Sequence, residues 1–496
     1  MLGRKNTKCV SYQRKMHLTK QNIVNNKNPI YSYLIQRKEQ VIIMGFVLLG
    51  LFVIVEIALL IVTFVKQKEK VQWIRNRVVA RVGEMVLFAF TLLLPGVAWD
   101  LRFKMCFGVL LIRVVIAVIF YVLKNKKASG CKSKVGTILG TAGSILVLAL
   151  SLIPSFLFTG YKGLETTGTY QVKEVSAILV DQSRTETFET DGSKREVPVH
   201  IYYPDIENAG ENSFPLVIFS HGAFGYYQSN VSTYMELVSN GYVVISLDHP
   251  YHSFFTEDTA GNLITVNPNF LQEVMMTNED STTEEEILKM SQKWIEIRTA
   301  DINYVLNSVE MAKTEGCNSD VWFIKAEETE KEIKKVLSMV DMDTIGLMGH
   351  SLGGAASVTV GRDREGIDAV IDLDGTMLGE ELGFENGEYQ FYEESYPVPL
   401  LAIDNEEHYQ LSSEAGKLYV NTVVLENAVD SKRTYFAGSG HMNFTDLPLF
   451  SPILASLLGT GTIDETECIE TMNGIVLTYF NCYLKGDGEV TIQESY

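Results

Sequence analysis

Cysteine, proline and tryptophan are scarce in this chain: six, twelve and four of 496 residues. No C-x-x-C pair and no His/Cys run with metal-ligand spacing occurs, which excludes a zinc module and a disulfide framework. Cys106 lies in or beside an apolar run and Cys131 in a basic loop; Cys317, Cys468 and Cys482 fall in the C-terminal two-thirds. A Cys468–Cys482 bridge is compatible with that count but not fixed by it. Acidic residues are nearly missing from 1–160, which hold 5 Asp/Glu against 23 Lys/Arg. Basic residues are scarce in the remainder, 19 against 56 acidic. No single soluble fold accounts for +18 followed by −37. The basic part does not read as a nucleic-acid binder, because its charges are strung between long apolar runs.

Four such runs fill it. Val41–Val65 is long enough to cross a bilayer with some tilt, and Met105–Leu123 and Val135–Phe158 are adequate spans. Glu84–Trp99 is short and carries Pro95. Buried core helices fit such lengths and lysine flanks poorly, and further spans after the first disfavour a cleavable signal peptide. Loop charge sets the orientation. Lys66, Lys68, Lys70, Arg75, Arg77 and Arg81 crowd the first loop, and Lys124, Lys126, Lys127, Lys132 and Lys134 the third. The second has Arg102 and Lys104 beside Asp100. Loops one and three are expected in the cytoplasm, so the acidic part emerges on the outer face. The basic residues of 1–40 would then lie outside too. Either translation starts at Met44, or the second run is not a true span and the N-terminus is inside. Both versions put 161–496 outside. Glu56 and Arg113 fall near mid-depth, where charge is costly unless paired, and are expected to clasp each other.

Beyond Tyr161 short apolar strands alternate with helices. Strands are expected at Val197–Tyr203, Pro215–Ser220, Tyr242–Leu247, Thr344–Met348, Ala369–Asp374, Pro399–Ile403 and Arg433–Ala437. Helices are expected near Ser232–Ser239, Trp294–Lys313, Glu327–Val340 and Met472–Lys485. That alternation predicts an α/β fold, a mainly parallel sheet with helices on both faces. Chemistry in such sheets sits at the carboxyl ends of the strands.

One of those ends carries the chain's most informative stretch, Thr344-Ile-Gly-Leu-Met-Gly-His-Ser-Leu-Gly-Gly354. An apolar strand runs into Gly349-x-Ser351-x-Gly353 and then into helix-forming residues, the nucleophile-elbow pattern. Positions two before and two after the serine crowd each other, and glycine at 349 and 353 removes the clash. A serine nucleophile needs a base for its proton and a carboxylate to orient that base; in α/β-hydrolases they follow in the order Ser, acid, His. Only His408 and His441 come after Ser351. His441, in the flexible loop Gly438-Ser-Gly-His-Met-Asn-Phe444, is favoured; His408, after Glu406-Glu407, reads as a solvated loop residue. For the acid, Asp374 at a strand tip is favoured over Asp404, which ends the next strand. The amides of Ala223, after Ser220-His-Gly222, and of Leu352 are candidate oxyanion donors. His221, His249 and His350 read as structural.

These segments resemble the platelet-activating factor acetylhydrolase family from about Thr169 onward. The likeness rests on Phe219-Ser-His-Gly-Ala223, Ser246-Leu-Asp-His249, Arg298–Asn307, Gly349–Gly354, Ile371-Asp-Leu-Asp-Gly375, and above all Gly440-His-Met-Asn-Phe-Thr-Asp446. The closing helix Met472–Gly486 is similar too. The resemblance implies an α/β-hydrolase with the triad Ser351, Asp374 and His441, donors Ala223 and Leu352, and no metal or organic cofactor. It implies a phospholipid with a short or oxidised acyl chain as substrate. Two features depart from the family: the multi-span anchor, and an acidic insert between Ser253 and Lys293 whose Phe270–Met276 stretch has the character of a lid or acyl pocket. The expected organisation is a basic segment 1–40, a membrane region 41–160 with about four transmembrane helices in the bilayer, and a catalytic domain 161–496. A general carboxylesterase on small acyl or polyester substrates, and a non-catalytic membrane sensor, are the competing readings.

Overall fold

Residues 29–65, 70–93, 99–124, 133–161, 163–207 and 210–496 are described by a computed structural model, with side chains from Met44 onward. The basic segment before Pro29, Pro95, Cys131 and the lysines of 66–69 and 125–132 lie outside the described residues. Two compact units are present, one comprising 21–162 with 449–454, the other 163–448 with 455–496.

The first unit is helical: Pro29–Val65, Lys70–Thr91, Leu101–Lys124, Lys134–Ser151 and the short Ile153–Leu157. Three stretches are long and apolar enough to cross a membrane, Met44–Val65, Arg102–Leu123 and Lys134–Ser151. The second apolar run begins inside Lys70–Thr91, whose Arg75, Arg77, Arg81 and Glu84 dilute its hydrophobicity; it is not among the three. Glu56 and Arg113 do pair, but as part of a larger cluster. Arg81 reaches Glu56 at 2.6 Å and Glu84 at 2.7 Å, and Arg113 contacts Glu56 and reaches Glu84 at 3.2 Å. Ser144 completes it, its hydroxyl 3.1 Å from Arg81 and its carbonyl 3.0 Å from Arg113. Each of the four long helices thus contributes a polar partner. Leu48, Phe52, Phe88, Phe103, Leu110 and Leu148 form an apolar core in the same unit.

The second unit is built on strands β1 (Val172–Thr185), β2 (Lys194–Pro204), β3 (Phe214–Ser220), β4 (Val243–Leu247), β5 (Phe255–Glu257), β6 (Leu263–Thr265), β7 (Trp322–Phe323), β8 (Val340–His350), β9 (Ala369–Leu373), β10 (Glu381–Glu385), β11 (Glu388–Phe391), β12 (Leu400–Asn405) and β13 (Ser431–Phe436). Nine form one sheet in the order β13-β12-β9-β8-β3-β4-β2-β1-β7; β5-β6 and β10-β11 are separate pairs. From β13 to β4 every pairing is parallel, and β2, β1 and β7 are added antiparallel. β3, β4 and β9 are buried along their whole length, as a sheet covered on both faces requires.

Side-chain alternation assigns the faces. Leu347 and Val370 belong to a core with Ile302, Val305, Ala355 and Val358 of helices Glu284–Glu315 and Leu352–Asp363. On the other face a Cβ at Gly346 would meet Phe480 and Leu484 of helix Glu465–Lys485. This is the expected α/β-hydrolase architecture. Helix Glu284–Glu315 starts ten residues before the expected Trp294, because Thr283 and Glu286 form a reciprocal capping box. The end of the acidic run is therefore a helix N-terminus, where carboxylates favour the dipole. Phe270–Met276 lies in a helix, Pro268–Met276, that buries Phe270. Cys468 and Cys482 are free thiols. They cannot bridge: both sit on helix Glu465–Lys485, fourteen residues or about 21 Å apart along its axis.

Candidate active site

Ser351 caps β8 and opens helix Leu352–Asp363 with φ 54° and ψ −125°, a conformation strained for any residue but glycine. The chain turns sharply enough that a Cβ on Gly349 would lie 2.2 Å from Gly353 C, and one on Gly353 would lie 2.0 Å from Ser220 O. The glycines are there because backbone occupies that space. The Ser351 hydroxyl has no hydrogen-bond partner among the described residues, and it opens on a cleft of about 350 Å³.

Asp374 and His441 line the same cleft. Asp374 follows β9 with φ 58°, which turns its carboxylate toward the loop after β13. There His441 Nδ1 donates to Asp374 Oδ2 at 2.6 Å. The aspartate side chain is fully buried and the His441 ring 40% exposed, so the imidazole presents its far edge to the cleft. Burial alone would raise the Asp374 carboxyl, but hydrogen bonds from His408 and His441 hold it well below the usual carboxylate range. Asp404 does something else: Arg433 binds it at 2.6 Å through Nε.

His408 is not a solvated loop residue. It lies on helix Glu406–Ala415, its side chain only 10% exposed, and its Nδ1 donates to Asp374 Oδ1 at 3.0 Å. Asn405 caps that helix and also holds Asp374, through its backbone N–H (2.8 Å) and its side-chain amide (2.6 Å). Asn405-Glu-Glu-His408 is an N-cap followed by acidic first-turn residues, a helix-start signal that the sequence contained. Asp374, Asp404 and His408 set one donor atom each within 4.8 Å of one another, a spacing that would also suit a cation. Arg433 already supplies Asp404 with a countercharge, and His441 takes the other Asp374 oxygen.

The Ala223 and Leu352 amides flank Ser351 in the cleft, and neither N–H has a hydrogen-bond partner among the described residues. The loop carrying Ala223 is held from below by Arg298, which is fully buried and donates to the carbonyls of His221 and Gly222. Behind it His249 joins Asp301 Oδ2 and the Ser220 hydroxyl, each at 2.9 Å, and Arg195 pairs with Asp301 at 2.6 Å. Burial and the Arg298 charge keep both His221 and His249 below the ordinary histidine range, the latter at about 4. His350, packed with its ring 4.6 Å from that of His441, is pushed down to about 3 chiefly by burial. These three are neutral scaffolding, as their sequence context implied.

Strand order, the strained serine and the Asp374–His441 contact agree with a match to the family model described as platelet-activating factor acetylhydrolase, isoform II, over residues 189–491. The chain belongs to this family. Platelet-activating factor acetylhydrolases of Canis lupus familiaris, Cavia porcellus and Gallus gallus are 22%, 24% and 23% identical to it over 278, 286 and 290 residues. Each match covers 55% of this chain and 57%, 58% and 62% of the relative. The chain thus spans less than two thirds of the length of these relatives. Among solved structures, the ferulic acid esterase from Streptomyces cinnamoneus aligns with a TM-score of 0.49 and 18% identity, over 67% of this chain and 96% of that one.

Proposed function

We propose that this acetylhydrolase-family member is a membrane-anchored serine ester hydrolase whose catalytic domain faces outward. Ser351 attacks the ester carbonyl. His441 takes the serine proton and returns it to the leaving alcohol, while Asp374 orients His441 and stabilises it as imidazolium. The Ala223 and Leu352 amides bind the oxyanion. Water, deprotonated by the same histidine, then attacks the acyl-serine ester and releases the acid. The observation that carries this reading is the 2.6 Å bond from His441 Nδ1 to a buried Asp374, beside a serine held at a left-handed turn. A short or oxidised acyl chain on a phospholipid is the proposed substrate; family membership and a small cleft partly walled by Val274, Leu378 and Leu411 support it.

The test is ester hydrolysis by the solubilised full chain on short-acyl phospholipids, long-acyl phospholipids and soluble esters. Short-acyl phospholipid should be preferred, and Ser351→Ala should remove activity on all three. Asp374→Asn should lower kcat by about 10⁴-fold through the wrong imidazole tautomer, whereas Asp404→Asn should retain turnover. Activity on soluble esters alone would favour a general carboxylesterase. Equal rates for wild type and Ser351→Ala would leave a membrane sensor.

A further inference from the structure

The Asp374 carboxylate serves two imidazoles. His441 bonds Oδ2 at 2.6 Å and His408 bonds Oδ1 at 3.0 Å. The orienting acid of a triad needs only the first. We propose that His408 is a positioning residue that shares Asp374 with His441, carries a positive charge, and so sets the acid limit of turnover. This deepens the functional reading above and rests on it.

The charges facing His408 do not balance without it. Asp374 and Asp372 approach from the β9 end, and Asp404, whose Oδ1 is 3.6 Å from His408 Nδ1, from β12. Arg433 from β13 is bound to Asp404, His441 comes from the loop after β13, and Glu407 from the same helix lines the cleft. Asp372 is neutral: burial, and then the charges of Asp404 and Asp374, hold its carboxyl well above the usual range. Two carboxylates, Asp374 and Asp404, therefore lie within 3.6 Å of His408 Nδ1, and one guanidinium, that of Arg433, is bound to the second. One cation is missing, and His408 is the group placed between the two carboxylates.

Both of its ring protons have acceptors. An ionised carboxylate only accepts, so Nδ1 must carry a proton to bond Asp374. Nε2 lies 2.9 Å from the Tyr419 hydroxyl, which lies 3.0 Å from Thr376 Oγ1. That hydroxyl can accept from a protonated Nε2 and donate onward to Thr376. Burial opposes the charge, but Asp404, and then Asp374 through its hydrogen bond and charge, outweighs it and pushes His408 up to about 9. A cation on one side of Asp374 opposes a second on the other. The acid limit of turnover therefore lies at lower pH than it would with an uncharged side chain at position 408.

His408→Gln tests this, because the amide can still donate to Asp374 but carries no charge. With the full chain and a short-acyl phospholipid, the acid limb of kcat/KM should move up by about one pH unit, the size expected for removing one nearby charge. A limb that stays or moves down while activity remains Ser351-dependent overturns the role of His408 alone. Activity that survives Ser351→Ala overturns the hydrolase reading beneath it. Should the variant fail to fold, ¹⁵N-histidine NMR of the wild type decides: one ring doubly protonated at pH 8 is expected, and none overturns the proposal.

Discussion

At the scale of single residues, the histidines divide by what their surroundings allow them to carry. His221, His249, His252 and His350 are buried and kept neutral, the second and fourth at about 4 and about 3. His252 stacks on Phe270 with ring centroids 3.8 Å apart, and neither of its nitrogens has a partner among the described residues. Once unfolded, all four take up protons below pH 6.5, which the folded state refuses. Stability from these groups is therefore complete above pH 6.5 and is lost as pH falls from 6.5 toward 4. Asp248, Asp446, Glu381 and Asp372 work the other way, since burial raises the first two to about 6, the third to about 8 and the last well above the usual range, and the folded state binds their protons first. His408, pushed up to about 9, falls on that same side, so the contribution of one neutral ring is read by removing it rather than from the total. Relative to wild type, His350→Gln should shift the change in urea midpoint between pH 7 and pH 5 toward greater stability at pH 5, because the ring that unfolding would protonate is gone. The same pH dependence in variant and wild type would mean that the His350 ring takes up protons in the folded state.

At the scale of elements, the glycine-flanked turn at Ser351 that was legible in the sequence is where substitution should be least tolerated. Gly353→Ala would drive a methyl to 2.0 Å from the Ser220 carbonyl, and β3 is fully buried and cannot yield. A loss on the order of 3 kcal/mol is expected, with activity lost alongside. Gly474, exposed in helix Glu465–Lys485, has open space around its missing Cβ. Gly474→Ala should raise stability by about 0.5–1 kcal/mol with activity intact. Thermal unfolding of the two variants checks both; equal effects would show that local space is not what distinguishes them. The seven parallel or near-central strands were readable because burial on both faces forces short apolar runs between turn residues. β1 was not: Val172-Lys-Glu-Val-Ser-Ala-Ile-Leu-Val-Asp-Gln-Ser-Arg-Thr185 mixes charge with apolar residues, and its pairing with β2 and β7 is decided by tertiary contact. That Ser351, an acid and His441 would share one cleft was legible from order along the chain. Asp374 over Asp404 was a choice between two strand tips, and His408 was missed because nothing in linear sequence brings position 408 to position 374.

At the scale of the whole chain, the charged cluster explains how helix Lys70–Thr91 can be so polar within an otherwise apolar unit. Glu56 lies nine residues before Val65, about 14 Å along its helix, and Arg81 lies eleven residues after Lys70, about 17 Å along the next. An antiparallel pair joined by four residues brings these depths level, where Arg81 meets Glu56. The second helix therefore runs alongside the first at least to the middle of its apolar stretch, with Arg81 and Glu84 matched rather than left unpaired among apolar side chains. Two glutamates face two arginines, so removing one charge leaves a buried ion unbalanced, whereas removing an opposite pair does not. Glu56→Gln or Arg113→Gln alone should each cost about 3–5 kcal/mol and reduce the monodisperse yield in detergent. The double variant should recover most of that loss, because Arg81 and Glu84 still pair at 2.7 Å. Size-exclusion profiles and melting temperatures of the three variants give the coupling directly. Losses that simply add would mean that the four side chains act separately, and that the packing of Phe52, Phe88 and Phe103 holds the helices together without them.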